Sequence, residues 1–286
     1  GTQSTGQGHE TAYVQLTADR LGIDGEKIRV RQGDTDTIPT GGGTGGARSL
    51  YSEGQAILAT AATVIEKGKK AASEALEAAV PDIVFEEGRF TIIGTDRGMD
   101  ILELAATQRA RAAAGQDVTT LDAAEVAQID AHTFPNGCHM AEVEVDPDTG
   151  EIAIVRYVVC DDVGKAVNPL IVRGQVHGGV AQGVGQAVFE NTAYDPASGQ
   201  LLAGSFMDYA LPRAADLPDI EVDLIEVPCG TNPLGVKGAG EAGAVGSPPA
   251  VINALVHALR DSGVTTIDMP ATPERVWKAL HGAQAA

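Results

Sequence analysis

Two hydrophobic periods alternate along this chain, and the points where they change over outline its elements. Ala12, Leu16 and Leu21 recur at helical spacing with Tyr13 beside them, which predicts a helix over about 9–21, ended by Gly22. EKIRVRQ at 26–32 alternates as a strand does. The Gly/Thr segment DTDTIPTGGGTGGARS separates it from a predicted helix over about 52–79, where Ser52 and Gln55 fit a capping box. VFEEGRFTII reads as a small hairpin. Residues 98–130, acidic and Ala-rich, predict two amphipathic helices separated by Gly115.

From residue 132 the period shortens to two. GCHMAEVEVDPDTGEIAIVRYVVCDD predicts two strands joined by a turn through Asp146, Pro147, Asp148, Thr149 and Gly150. Asn168 and Pro169 open a helix over about 168–188, as cap and first helical residue. The turn chemistry recurs at Asp195-Pro196, followed by strands near 205–210 and 219–226 and helices over about 248–261 and 273–281. The expected fold is α+β: two lobes of mixed β-sheet with packed helices, the first spanning 1–131 and the second 132–286. Gln7-Gly8 ahead of one helix echoes Gln182-Gly183 within another, which is consistent with two similar lobes facing a shared ligand.

Composition narrows the classes. With 43% hydrophobic residues but 4% aromatic ones and 35 glycines, the core is expected to be Ala, Val, Ile and Leu with close backbone approaches. A formal net charge of −19 argues against nucleic acid and against anionic membranes as partners. No run of 18 apolar residues exists, so no membrane span is expected. The cysteines Cys138, Cys160 and Cys229 are odd in number and far apart, which reads as reduced thiols in a cytoplasmic protein. Cys138-His139 is too short a motif to ligate metal, and both residues are expected to be buried and structural; no metal ligand is assigned. The chain opens on Gly1 and runs at once into motif-like sequence, so it is expected to be a piece of something longer.

The candidate chemistry centres on Glu241, the one carboxylate within PCGTNPLGVKGAGEAGAVGSPP at 228–249. Partial desolvation among Gly, Ala and Pro would raise its proton affinity and suit it to general-base work; the alternative is a solvated surface loop that carries an acid. Lys237, four residues earlier, either lowers the proton affinity of Glu241 or has a structural role, the second being preferred. GGGTGGARS at 41–49 lies between a predicted strand and a predicted helix, where backbone N–H groups and the helix dipole attract phosphate. It carries no following Lys-Ser/Thr and no G-x-G-x-x-G spacing, so it is neither a P-loop nor a Rossmann turn, and alone it reads equally as a linker. Gly6-Gln7-Gly8 offers similar geometry ahead of the first helix. Gln182, flanked by Gly179, Gly183 and Gly185, offers a second amide.

The ordered motifs GTQSTGQGHETA, DTDTIPTGGGTGGARSLYSEGQA, GQVHGGVAQGVGQAVFE, GSFMDYALP and NPLGVKGAGEAGAVGSPPAVINALVHAL resemble the molybdenum hydroxylase family, which includes xanthine dehydrogenase, aldehyde oxidase and aerobic carbon monoxide dehydrogenase large subunits. The likeness runs from Gly1 to about Leu259 and is to the second molybdopterin-binding domain. It implies a molybdenum-molybdopterin cofactor, commonly the cytosine dinucleotide form in bacteria. By motif match, Gln7 with Gly8 would touch the pterin, Gly46, Ala47 and Ser49 would cradle the phosphate and pterin edge, and Gln182 would contact the cofactor. Glu241 matches the family's active-site glutamate, the base beside molybdenum. The resemblance also implies a first molybdenum-binding domain or subunit, a [2Fe–2S] subunit and a FAD subunit as partners, and a small-molecule substrate. The copper-binding cysteine loop of true carbon monoxide dehydrogenases is absent from the sequence, as are iron–sulfur and flavin motifs. The chain is thus expected to be the cofactor-binding part of an oxidoreductase for an aldehyde, N-heterocycle or similar molecule, inactive without its partners; the alternative is a module that binds or delivers the cofactor without turnover.

Overall fold

The first helix, α1 (His9–Leu21), forms where the 3.6-residue period places it and stops at Gly22, whose left-handed φ of 60° lets its N–H reach back to Ala18. The structure, a computed structural model, describes residues 1–129 and 131–282. It divides into two units: Gly1–His132 with Gly230–Leu234, and Thr133–Cys229 with Gly235–Ala286.

In the first unit, the 28-residue helix α2 (Ser49–Leu76) packs with a three-stranded antiparallel sheet of order β1-β2-β3. The strands are β1 (Ile83–Glu86), β2 (Arg89–Ile92) and β3 (Gly98–Asp100). Asp100 caps α3 (Ile101–Ala113) by accepting from the N–H groups of Leu102 and Glu103. Phe90, Leu104, Ala71 and Ala72 are fully buried at the centre of this core. Helix and sheet approach closely because residue 68 has no side chain: a Cβ there would lie 2.1 Å from the Phe90 ring. Gly68→Ala therefore forces the ring or the helix to move and should cost about 1–3 kcal/mol, read as a lower midpoint in denaturant unfolding. A midpoint equal to wild type would mean that the Phe90 ring yields freely.

Three expectations fail in this unit. Residues 28–32 join neither sheet; Asp24 caps a 3₁₀ turn at Gly25–Lys27, and the Gln32 side chain is drawn inward to Thr2 and His9. Helix α2 starts at Ser49 rather than at 52, and the capping box does not form: Ser52 Oγ bonds the Arg48 carbonyl and Gln55 Nε2 the Tyr51 carbonyl, both within the helix. Among the described residues of 98–130 there is one helix rather than two. After Gly115 the chain runs on without secondary structure, anchored by Leu121 in the core and by Asp122 and Glu125, which bond Lys67, Arg109 and Thr63.

In the second unit, β4 (Asn136–Val145) and β5 (Ile152–Asp162) pair antiparallel, and β6 (Ile220–Ile225) runs parallel to β5. The expected turn joins β4 to β5, with Asp146 Oδ1 accepting from the Asp148 N–H. Asn168 caps α4 (Pro169–Val184) through its bond from the Ile171 N–H, and a π-helical turn (Gly185–Phe189) continues the helix. Helices α5 (Ala242–Leu259) and α6 (Pro273–Gly282) follow. Val176, Val180 and Val184 of α4, Val159 of β5 and Val251 and Leu255 of α5 are fully buried together.

Residues 205–210 form a turn rather than a strand, because the Ser205 carbonyl accepts from both Asp208 and Tyr209. Helix α5 begins six residues before the expected start at 248. The Val245 N–H bonds the Glu241 carbonyl, and Gly243 and Ala244 lie against Gly179 of α4, so packing extends the helix ahead of Pro248. Ala242–Ser262 is long and apolar enough, at mean hydropathy 1.2, to cross a bilayer by length and composition. Its residues Val251, Leu255 and Leu259 lie in the core of this unit, which marks it as a core helix.

Candidate functional site

In the first unit the two glycine-bearing segments are tied to each other. Gly43 N–H donates to the Gly1 carbonyl at 3.1 Å. Thr44 Oγ1 donates to the Gln3 carbonyl at 2.6 Å and accepts from the Gln3 N–H at 3.1 Å. Ser49 Oγ reaches Thr44 Oγ1 at 3.4 Å. Thr44 is thus the hub of the loop, and sequence reasoning passed over it. The signal was there: it is the lone hydroxyl inside GGGTGG.

Gly46 and Ala47 follow at φ 61° and 51°, a left-handed pair of which the alanine member is uncommon. Arg48 follows at φ −94° and ψ −9°, and such an alternation of left- and right-handed residues turns successive backbone N–H groups toward one concave side. A Cβ at Gly43, Gly45 or Gly46 would meet nothing within 4 Å, so space is open beside the loop. Ser49 then begins α2, whose N-terminus no side chain caps. The backbone N–H groups at a helix start, with the positive end of the helix dipole, attract anions.

Gly8 stands at the N-cap of α1 with φ 74°, and its carbonyl accepts from the Ala12 N–H at 3.1 Å. The Gln7 side chain folds back on Thr5, accepting from its N–H at 2.5 Å and donating to its Oγ1 at 2.8 Å. Beneath this segment Thr2 and Tyr13 share a buried hydrogen bond of 3.0 Å, and His9 stacks on Tyr13 with ring centroids 5.3 Å apart. Burial pushes the Tyr13 hydroxyl up to about 12, with the Thr2 bond working against it, so the group stays neutral in ordinary buffers. His9 is a packing residue.

In the second unit Glu241 and Gln182 lie on neighbouring helices. Glu241 is the N-cap residue of α5 and does not cap the helix with its own side chain. It is exposed, so the dry surroundings expected of this carboxylate are not supplied by this unit; its position at a helix start, rather than within a loop, is the second correction. Gln182 is exposed on α4, and the next residue brings the helices together: a Cβ at Gly183 would fall 1.9 Å from Ser247 Oγ. Gly183 is therefore helical packing surface, unlike the left-handed Gly8, and the echo of Gln7-Gly8 in Gln182-Gly183 is not a repeated geometry.

Lys237 has the structural role. Its Nζ lies 2.5 Å from Asp162 Oδ2, and the two side chains are 11% and 8% exposed. Asp162 Oδ1 also accepts from the Gly164 N–H at 2.8 Å and the Val227 N–H at 3.2 Å. Burial pushes the Asp162 carboxyl up, but Lys237 and the two N–H groups outweigh it and hold the group below the usual carboxylate range. A smaller expectation is corrected: Cys138 is exposed rather than buried. Among the described residues, no group of His, Cys, Asp and Glu could hold a metal ion.

Known proteins resemble this chain over nearly its whole length. The molybdopterin cofactor-binding domain family matches residues 1–218. The carbon monoxide dehydrogenase large chain of Hydrogenophaga pseudoflava is 38% identical over 280 residues, covering 98% of this chain and 35% of the relative. Subunit gamma of the 6-hydroxypseudooxynicotine dehydrogenase complex of Paenarthrobacter nicotinovorans is 37% identical over 284 residues, covering 99% of this chain and 36% of the relative. A solved structure of the Cu,Mo-CO dehydrogenase superposes with a TM-score of 0.89 at 34% identity, over 99% of this chain and 36% of that one. The chain thus spans about a third of the length of these relatives.

Proposed function

This chain belongs to the molybdenum hydroxylase family, as a molybdopterin cofactor-binding domain, and from that premise we propose that it supplies the general-base side of a hydroxylase active site. The cofactor is a molybdenum-molybdopterin, in the cytosine dinucleotide form. Ser49, Gly46 and Ala47 would hold its anionic groups on backbone N–H donors and the start of α2, with Gln7 and Gly8 beside them. The fit rests on the open, left-handed loop and the uncapped helix end. Gln182 would contact the cofactor from α4. When bound, the cofactor supplies two-electron oxidation with water-derived oxygen. Glu241 would accept the proton released at that oxygen, and the backbone around it stays fixed because α5 is clamped to α4 at Gly183 and Ser247.

The observation that carries this reading is the state of Glu241: it sits on a firmly packed helix start, yet its carboxylate does not cap that helix, and the nearby Lys237 is committed to Asp162. A base needs a fixed backbone and an available carboxylate, and this position provides both. The remaining walls of the pocket belong to the first molybdenum-binding domain or subunit, and electrons leave to [2Fe–2S] and FAD subunits. Burial of Glu241 comes with that assembly. The substrate is a small aldehyde, N-heterocycle or similar molecule. Relatives are named for carbon monoxide and for 6-hydroxypseudooxynicotine, which is consistent with a domain that accompanies different substrates.

Loading tests the cradle. Gly46→Val places a β-branched side chain at φ 61° in the open side of the loop, where it is strained and blocks the N–H concavity. In the assembled protein, molybdenum and pterin content, measured by metal analysis and pterin fluorescence, should fall by about tenfold with the circular dichroism unchanged, a loss of roughly 1.4 kcal/mol in binding. Full loading would remove the loop from the cofactor site.

A further inference from the structure

A buried polar cluster lies under the start of α5 and takes no part in the chemistry above. His139 on β4 has its Nδ1 3.0 Å from the Tyr157 hydroxyl and its Nε2 3.3 Å from Asp161 Oδ1, both partners lying on β5. The His139 and Asp161 side chains are 6% and 5% exposed, and Tyr157 is 1% exposed. Burial, with the neighbouring Asp161 charge, pushes the Tyr157 hydroxyl up, so it remains a neutral donor. The second Asp161 oxygen has no hydrogen-bond partner, which leaves the imidazole as the main polar neighbour of a buried carboxylate.

The imidazole ring bears on α5. A Cβ at Gly246 would lie 2.6 Å from both Cε1 and Nδ1 of His139, so the helix backbone rests against the ring with no room for a side chain. The next residue, Ser247, is fully buried against Gly183 of α4, one position from Gln182. The second turn of α5 is therefore held between the ring on one side and α4 on the other. Five residues before Gly246, on the same helix start, stands Glu241.

We infer that Tyr157, His139 and Asp161 form a polar post that seats the first two turns of α5 and thereby sets where the Glu241 backbone stands. His139 is a positioning residue: it acts through Gly246. The inference deepens the reading of Glu241 as general base, and rests on it for its catalytic consequence. A buried imidazole is a specific choice for this task. An aliphatic side chain could fill the volume, but the ring is fixed in rotation by a hydroxyl at one nitrogen and a carboxylate at the other. A rotationally fixed ring defines the height of the helix above the sheet, which a freely turning side chain would not.

The test uses the assembled, cofactor-loaded enzyme, with hydrogen–deuterium exchange over residues 241–247 beside steady-state kinetics. His139→Gln should raise exchange in that segment about tenfold and lower kcat about ten- to a hundredfold, with KM and molybdenum content close to wild type, because a misplacement of about 1 Å carries that penalty. Tyr157→Phe removes one oxygen from a residue that otherwise packs the same way, and should shift both readouts in the same direction by less. It keeps the proposal open to refutation if His139→Gln folds poorly. Wild-type exchange and kcat in both variants would overturn the post. So would exchange that rises equally across α4 and α6, since that marks general loss of core stability. Glu241→Gln run alongside separates the two readings: if it turns over normally the general-base assignment falls, while the exchange data still decide whether the post seats the helix.

Discussion

Glu241→Gln should lower turnover of the assembled enzyme by about 10²–10⁴-fold while molybdenum and pterin content stay at the wild-type level. The substitution keeps the size and reach of the side chain and removes its charge together with its ability to take up a proton. At the N-cap of α5 the carboxylate makes no capping bond, so its loss should leave the helix intact. A fall of this size corresponds to about 3–5 kcal/mol of transition-state stabilisation, far more than a surface carboxylate contributes to folding. Glu241→Asp, which pulls the carboxylate back by one methylene, should recover part of the rate. Turnover within about twofold of wild type, at full cofactor content, would favour a module that binds or delivers the cofactor without using it.

The second large effect is on stability and comes from the Lys237–Asp162 pair. Lys237→Met leaves the Asp162 charge buried without its cation, and should cost about 3–5 kcal/mol at neutral pH. Two backbone N–H groups still bond Asp162 Oδ1, so the loss should fall short of complete unfolding. The pH dependence has a definite sign. The folded carboxyl titrates below its unfolded value of about 3.9, so the folded state binds fewer protons there than the unfolded state. Its contribution is complete above about pH 4 and disappears as pH falls through the folded value. Denaturant unfolding of wild type and Asp162→Asn should therefore differ at pH 7 and converge in stronger acid. Curves that run parallel down to pH 3 would show that the ionised form of Asp162 gives no net stability. The pair also bears on the site, since Lys237 N–H bonds the Val163 carbonyl and Lys165 N–H the Gly235 carbonyl, which fastens the approach to Glu241 to the end of β5.

Local chemistry made much of this molecule legible before its folding was known. Helix α1, the turn through Asp146, the Asn168–Pro169 start of α4 and strand β6 follow from periodicity, caps and turn residues, because each depends on neighbours within a few positions. The glycine loop at 41–49 and the isolation of Glu241 were equally visible, as compositional breaks in the chain. The misreadings share one cause. EKIRVRQ has a strand's alternation but pairs with neither sheet, and Ser52 and Gln55 have a capping box's spacing but fall inside a helix that begins earlier. A pattern of side chains states a preference, and long-range contacts decide whether it is met.

The family and the cofactor class are written in the order of the chain's motifs. Folding alone assigned Lys237 to Asp162 rather than to Glu241, made Thr44 the joint between two loops, extended α5 back to Ala242 and set His139 beneath Gly246. Those assignments join residues far apart in sequence, by as many as 107 positions between His139 and Gly246 (246 − 139). Such pairings arise from how buried volume is filled and how buried charge is matched, and a local window of sequence contains neither.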